Sequence, residues 1–150
     1  MPSTIMPQRI DQNGRYSFDA PEGLSHRMGI RVLERRPGRV VASMPVAGNL
    51  QPVGILHGGA NAVLAETVAS IAAWEYAGEG AAVGLDLSCT HHRWVATGTL
   101  TAVATPLHEG RSSATYEVVI TDERGRRVCS ARLTCALRTR TAGMSSRKRA

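Results

Sequence analysis

One segment of this 150-residue chain, from Gly59 to about Tyr76, constrains the fold more than any other. It has the length of a helix and carries Ala, Val, Leu, Ile and Trp at positions that would face nearly every side of that helix. A helix without a polar face is a buried helix. Gly78 follows the segment and provides a stop signal. The rest of the chain is therefore expected to form a layer that wraps around this helix.

Most of the remaining chain has the alternation and the turn residues that are typical of β-strands. For example, Tyr116, Val118 and Ile120 alternate with Glu117, Val119 and Thr121, and the following turn favours a hairpin. One buried helix among five to six antiparallel strands predicts an α+β fold, with the sheet wrapped around the central helix. We predict a short helix or loop at 21–28 and strands at 29–35, 39–45, 82–94, 98–105, 111–121 and 127–137, with Pro106 closing the fourth strand.

The length of the chain suits one domain, which we assign to residues 21–138. Residues 1–20 are polar with two prolines, so we expect a loose N-terminal segment there. We expect a basic, flexible tail at 139–150. A single helix covers only one face of the sheet, so its exposed flank and an edge strand are expected to be buried by a second copy. We therefore predict at least a homodimer, and the assembly is expected to be a dimer or a dimer of dimers.

The net charge of +6 is concentrated at the C-terminus. Five of the 18 basic residues lie at 138–150, where there is no acidic residue, and residues 1–137 carry 13 basic against 12 acidic side chains. With only 4% aromatic residues, the body of the protein lacks the charge and the stacking surface that nucleic acids require. No stretch approaches the ~20 apolar residues of a membrane-spanning helix, and a secretion signal is missing from residues 1–20. We therefore expect a cytoplasmic protein with neither nucleic acid nor membrane as a partner.

The three cysteines, Cys89, Cys129 and Cys135, are an odd number and form no CxxC pair. If Cys129 and Cys135 share a strand, about 20 Å separates them, which is too far for a disulfide. Reduced structural thiols are expected. A metal site is not expected, because Cys89 and His91 would supply two ligands without a third.

Glu66 is the side chain that most clearly points to chemistry. It lies among apolar residues in mid-helix, where an ionised carboxylate is costly to bury, and Ser70 follows it by one turn on the same face. Contact with water at the helix edge, or an ion pair with an Arg, would also explain Glu66. However, the run Leu56-His57-Gly58-Gly59 stands where the helix begins. Glycines there leave backbone N–H groups uncovered at a helix N-terminus, an environment that suits an oxyanion, so the combination indicates acyl transfer.

These residues belong to a longer pattern of three runs, at 44–46, 51–59 and 63–67, with Ser70 after the last. The pattern resembles the signature of the hotdog-fold thioesterases. It is most similar to the branch that contains the phenylacetate-pathway, 4-hydroxybenzoyl-CoA and 1,4-dihydroxy-2-naphthoyl-CoA thioesterases. The resemblance covers about residues 24–137 and includes further matches at 83–86, 91–93, 105–111, 121–125 and 132–134.

The resemblance implies an enzyme that hydrolyses an acyl-CoA thioester, with an aromatic acyl group favoured. It implies two sites per dimer, each built across the subunit interface, and coenzyme A enters only as part of the substrate. Glu66 matches the catalytic carboxylate, which acts as a nucleophile or as a general base, and the Gly58 amide matches the oxyanion donor. The remaining matches are Gln51 and His57 around the thioester carbonyl, Ser70 at the hydrolytic water, and a histidine that faces the substrate, which is His91 or alternatively His92.

The coenzyme A half of the substrate carries phosphates, which favour Arg side chains and exposed amides. The candidates for binding it are Arg93, Arg111 and Ser113, with Arg138 at the base of the tail as a further possibility. Gly59 is expected to contact the substrate.

Two other functions remain open on the sequence. A broad-specificity or proofreading acyl-CoA thioesterase would use the same residues. A non-catalytic acyl-CoA-binding module would need the fold only, and the presence of Glu66 beside the glycine turn argues against it, because a binding module has no use for a buried carboxylate.

Overall fold

The computed structural model describes residues 23–78 and 80–138, which form one antiparallel sheet wrapped around one long helix. The six strands lie in the order β1-β2-β4-β5-β6-β3. This confirms the predicted α+β hotdog architecture, whereas the predictions for 1–20 and 139–150 lie outside the described residues. The elements are α1 (Leu24–Arg27), β1 (Arg31–Arg36), β2 (Arg39–Pro45), α2 (Gly58–Ala77), β3 (Ala81–His91), β4 (Thr99–Glu109), β5 (Ser113–Thr121) and β6 (Arg127–Arg138).

Helix α2 is the centre of the hydrophobic core and contacts all six strands. It begins after His57, the N-cap residue, and ends at Gly78, whose φ of +61° is readily adopted only by glycine. The helix is not long and apolar enough to cross a membrane, and the same holds for the other helix within 23–78 and 80–138. The buried residues of α2 are Ala60, Asn61, Leu64, Ala65, Val68, Ala69, Ile71, Ala72 and Ala73.

The strands turn one side chain in two toward α2. In β5, Tyr116, Val118 and Ile120 are fully buried, while the residues between them are half-buried on the outer face. The Tyr116 hydroxyl donates to the Ala72 carbonyl at 3.3 Å and to a carboxylate oxygen of Glu109 at 2.9 Å. Burial, together with this carboxylate, holds the pKa of Tyr116 well above its usual range. These bonds satisfy a buried hydroxyl and fix the C-terminal half of α2 on the sheet.

The prediction that Pro106 ends β4 was wrong, because the strand continues to Glu109. Pro106 lies opposite Tyr116, and the register shifts between Pro106 and His108. A bulge of this kind accommodates a proline, which has no N–H to donate to the sheet. β3 also ends earlier than predicted, at His91, and β5 begins later, at Ser113.

Two of the three free cysteines, Cys129 and Cys135, lie on β6 and are buried. Burial raises the pKa of Cys129 to about 12 and that of Cys135 to about 11. Both thiols are therefore protonated at neutral pH, as expected of structural cysteines.

An ion pair between Arg35 of β1 and Glu75 of α2 ties the edge strand to the helix, and the Glu75 side chain is only 8% exposed. We predict that Arg35→Met lowers the free energy of unfolding by about 3 kcal/mol, because it leaves a buried carboxylate without its partner. Urea unfolding measures the change. Arg36→Met is the matched control, since Arg36 pairs with Glu34 at an exposed site, where solvent screens the pair and its loss should change the stability little. If Arg35→Met lowers the free energy of unfolding as little as its control does, the buried pair does not stabilise the attachment of β1 to the helix.

Candidate active site

The start of α2 leaves one backbone donor uncovered. Nδ1 of His57 accepts a hydrogen bond from the N–H of Gly59 at 2.8 Å, so both residues serve the N-terminal cap. The N–H of Gly58, at the first helical position, has no acceptor within the helix. Of the predicted oxyanion donors, Gly58 is therefore the one whose amide is available. Participation of His57 and Gly59 in substrate binding stays a prediction.

A cavity of about 370 Å³ opens at this end of the helix, and we call it the Gly58 cavity. It brings together four predicted site residues from separate parts of the chain: Gln51 from a loop, Gly58 from α2, His91 from β3 and Arg93 from the segment after β3. A backbone hydrogen bond stabilises this loop, in which the N–H of Gln51 donates to the Ile55 carbonyl at 2.8 Å. The complete lining is Gln51, Ile55, Leu56, Gly58, Asn61, His91, His92, Arg93, Trp94 and Val95.

The His91 ring packs directly against the glycine at position 58. A Cβ added to Gly58 would lie 3.0 Å from Nε2 of His91, which is tighter than ordinary van der Waals contact. On the other side of the ring, Nδ1 of His91 lies 3.2 Å from Nδ2, the side-chain amide nitrogen of Asn61. His92 instead turns its Nε2 to the Ser130 hydroxyl at 2.9 Å, although it also borders the cavity.

Asn61 was missed by the sequence reasoning. It is 3% exposed and is the buried polar residue of the core. Its Oδ1 atom has no hydrogen-bond partner among the residues that the structure describes. The signal in the sequence was a single amide in an otherwise apolar run, one turn after Gly58.

Glu66 lies away from the Gly58 cavity. Its half-buried side chain approaches β3 where Gly84 stands, and a Cβ at position 84 would overlap the carboxylate. The negative charge also reaches two thiols, because the carboxylate adds to the burial that raises the pKa of Cys89 and Cys135. Within the described ranges, Glu66 forms no ion pair with an Arg or a Lys, so the Arg-pairing alternative has no support.

The two predicted catalytic groups, Gly58 and Glu66, do not meet within one chain. Eight residues separate them along α2, a rise of about 12 Å. Their neighbours on β3, His91 and Gly84, are seven residues apart, or about 23 Å along an extended strand. Ser70 is half-buried one turn beyond Glu66 and is farther still from Gly58. Gly58 and the Glu66 carboxylate therefore lie near opposite ends of β3.

The basic residues predicted to bind phosphates are also distributed. Arg93 borders the Gly58 cavity and a neighbouring cavity of about 400 Å³ that reaches the turn between β5 and β6. Arg111 and Arg138 line a separate cavity of about 460 Å³ beside Tyr76, near the C-terminal end of α2, and we call it the Arg111 cavity. Ser113 does not line it, although its carbonyl accepts the N–H of Gly110 at 2.9 Å.

No group of three or more His, Cys, Asp or Glu side chains could hold a metal ion in the part of the chain that the structure describes. The predicted site residues carry backbone donors, imidazoles, guanidinium groups and a carboxylate.

Comparison with known proteins identifies the family of the chain. A sequence profile of the thioesterase superfamily matches residues 53–129. The chain is 46% identical over 112 residues to the proofreading thioesterase EntH of Klebsiella pneumoniae, covering 73% of this chain and 82% of that protein. Among solved structures, thioesterase HI1161 from Haemophilus influenzae superimposes with a TM-score of 0.75 at 32% identity, covering 81% of this chain and 88% of that one. A hypothetical thioesterase from Streptococcus pneumoniae, solved with coenzyme A, gives a TM-score of 0.68 at 26% identity, covering 74% and 87%.

The profile spans more than half of the chain, and the alignment with the Klebsiella protein spans more than two thirds of both sequences. The resemblance noted in the sequence is thereby confirmed. The chain belongs to the thioesterase superfamily of hotdog-fold proteins, and its class of reaction is the hydrolysis of thioesters.

Proposed function

We propose that the protein hydrolyses acyl-CoA thioesters, with an aromatic acyl group preferred. The observation that carries this proposal is the available N–H of Gly58, which borders a cavity at the N-terminus of α2. A thioester carbonyl placed there would meet a donor and the positive end of the helix dipole, both of which stabilise a developing oxyanion.

The reaction needs no cofactor beyond the coenzyme A of the substrate. The proposed location of the protein is the cytoplasm, where free thiols such as those of this chain stay reduced.

Glu66 supplies the carboxylate of the proposed reaction. It either attacks the carbonyl carbon to form an anhydride that water then cleaves, or removes a proton from the attacking water. In both cases the C–S bond breaks and coenzyme A leaves as a thiolate, which needs no general acid. Ser70, one turn along the helix, is assigned to holding the water. Gln51 borders the Gly58 cavity and is assigned to the carbonyl side.

The separation of Gly58 from Glu66 favours a site built from two chains. β3 is an edge strand, with Val83 and Leu85 60% and 66% exposed. If two copies pair through β3 in antiparallel fashion, the Gly84 end of one strand lies beside the His91 end of the other. The Glu66 carboxylate of each copy then faces the Gly58 cavity of its partner. We therefore propose a homodimer with two composite sites, which leaves the dimer of dimers as a further prediction.

The lining of the Gly58 cavity supports an aromatic acyl group. Ile55, Leu56, Trp94 and Val95 provide apolar surface, and His91 and Gln51 add polar groups at fixed positions. Arg93 at the same cavity, and Arg111 and Arg138 at the Arg111 cavity, are the cations available to coenzyme A phosphates.

A proofreading role is the second candidate function. The Klebsiella relative at 46% identity is named a proofreading thioesterase. Proofreading requires hydrolysis of several different acyl groups, whereas a dedicated enzyme prefers one. The breadth of the substrate profile separates the two.

We predict that the protein releases coenzyme A from aryl-CoA thioesters at least tenfold faster, by kcat/KM, than from alkyl-CoA thioesters. The physical reason is the larger apolar contact that an aromatic ring makes with Trp94 and its neighbours. A thiol-release assay over a panel of both kinds measures the preference. Equal rates over the panel would favour the proofreading role, and no release from any thioester would refute the proposed function.

Glu66→Gln should reduce kcat by ~100-fold or more on the best thioester, because the amide nearly preserves the size of the side chain but removes its charge. The variant should unfold at the same urea concentration as wild type or a higher one. Glu34→Gln is the control, since it removes a carboxylate of β1 whose ion pair with Arg36 is exposed to solvent. If Glu66→Gln keeps more than a tenth of the wild-type rate, Glu66 is structural.

Gly84→Ala should also reduce kcat, by about tenfold or more, because the new Cβ would displace the Glu66 carboxylate. The test of this reason is the double variant with Glu66→Gln. If Gly84 acts through Glu66, the second substitution adds little to the first. Independent, multiplying losses would show that Gly84 supports something else.

The composite site predicts complementation between two inactive variants. Gly58→Pro removes the backbone donor at a helical position that tolerates proline, and its added carbons also crowd His91 in the same half of the site. Glu66→Gln removes the carboxylate. When the two proteins are unfolded together and refolded as a mixture, half of the dimers contain one of each chain, and each such dimer has one intact site. Activity should return to about a quarter of wild type. A mixture as inactive as its components, with mixed dimers verified by mass spectrometry, would place both groups in a single-chain site.

A further inference from the structure

Asn61 is a buried amide that the proposed mechanism does not yet use. It is 3% exposed, it lines the Gly58 cavity, and its Nδ2 atom lies 3.2 Å from Nδ1 of His91. Its Oδ1 atom is without a partner among the residues that the structure describes. A side chain present only for stability would be apolar or would have both polar atoms satisfied. The contact with His91 is therefore the feature that needs an explanation.

The contact fixes the proton on the His91 ring. An amide nitrogen has hydrogens to donate and cannot accept a hydrogen bond, so Nδ1 of His91 must be the acceptor. A neutral imidazole that accepts at Nδ1 carries its single proton on Nε2. Asn61 thereby selects the tautomer of His91.

The protonated nitrogen faces Gly58. Nε2 lies 3.0 Å from the position that a Cβ of Gly58 would occupy, in the space that glycine leaves open. Gly58 and His91 thus line the same cavity and contact each other.

We propose that Asn61 is a positioning residue that holds His91 as a second N–H donor to the thioester carbonyl, next to the Gly58 amide. The proposal rests on the proposed function and assigns a role within the same site. Removing one donor of an oxyanion site typically costs 100- to 1,000-fold in kcat (order of magnitude).

The other titratable and charged groups near His91 come from three places. Arg93 and His92 line the same cavity, and Cys129 lies opposite His91 on β6. The lining residues that the structure describes include no carboxylate. In a composite site the Glu66 carboxylate of the partner subunit would be the nearest negative charge.

Asn61→Asp is the most informative variant, because aspartate has the same shape but only accepts hydrogen bonds. Its carboxylate draws a proton to Nδ1 of His91. At low pH the ring holds both protons and still donates from Nε2. At high pH the one remaining proton stays on Nδ1, and Nε2 presents a lone pair to the substrate carbonyl. We expect kcat of this variant to fall about 100-fold or more as the pH rises, over a range in which wild type stays level.

His91→Gln provides the matched control. Its amide places an N–H near the position of Nε2 but does not titrate over this range. In the His91→Gln background, Asn61→Asp should no longer introduce the loss at high pH. If the loss persists there, the new charge acts on another group and the proposal is wrong.

The tautomer is measured directly by ¹⁵N NMR of histidine-labelled protein, with His91 assigned by comparison with His91→Gln. We expect a neutral ring protonated at Nε2 in wild type. Protonation at Nδ1, or a charged ring at neutral pH, would overturn the proposal, even if Asn61→Asp failed to fold. Because this measurement needs no substrate, it tests the proposed role of Asn61 separately from the proposed hydrolysis of thioesters. An Nε2–H tautomer in a protein that hydrolyses no thioester would refute the proposed function together with the donor role, and an Nδ1–H tautomer in an active enzyme would refute only the present proposal.

Discussion

The burial of α2 is the constraint on which the rest of this structure depends. A helix that is apolar on nearly every side can be stable in water only if other elements cover it, and each of the six strands contributes inward side chains to that cover. Several of these side chains are small, including Ala102, Ala104 and Ala114, which lets the sheet approach the helix closely. In this packed core three polar side chains of α2 meet residues of the sheet: Asn61 contacts His91, Glu66 contacts Gly84 and Glu75 pairs with Arg35. The packing of the core therefore sets the geometry of the site.

β3 is the strand that converts this packing into a site. It passes α2 at two places where a side chain would be in the way, and in each place a glycine stands on one of the two elements: Gly58 on the helix beside His91, and Gly84 on the strand beside Glu66. At one end of β3 the close approach packs the His91 imidazole against the helix. Toward the other end, the space left by Gly84 accommodates the Glu66 carboxylate. Because β3 is one of the two edge strands of the sheet, the strand that positions the polar groups can also pair with a second copy.

The sequence predicted what depends on local pattern and missed what depends on packing. The long helix and all six strands could be recognised because apolar periodicity and turn residues are local signals, and Glu66 was noticeable because a carboxylate is unusual in an apolar run. The extension of β4 past Pro106 depends on a bulge opposite Tyr116, which no local rule reveals. The contact between Asn61 and His91 joins residues 30 positions apart, and it exists only because of the way α2 rests on β3.

The distance between Gly58 and Glu66 connects the oligomeric state to the chemistry. A helix that carries a backbone donor at its start and a carboxylate two turns later holds both at a fixed separation of about 12 Å. That separation exceeds the reach of one carbonyl group, and no rotamer of Glu66 can shorten the helix. Two-fold symmetry removes the difficulty without any change in either chain, because it brings the carboxylate of one helix to the donor of the other. In the proposed dimer, the association of the subunits is therefore part of the assembly of the active site, and a stable monomer would keep the fold but not the reaction.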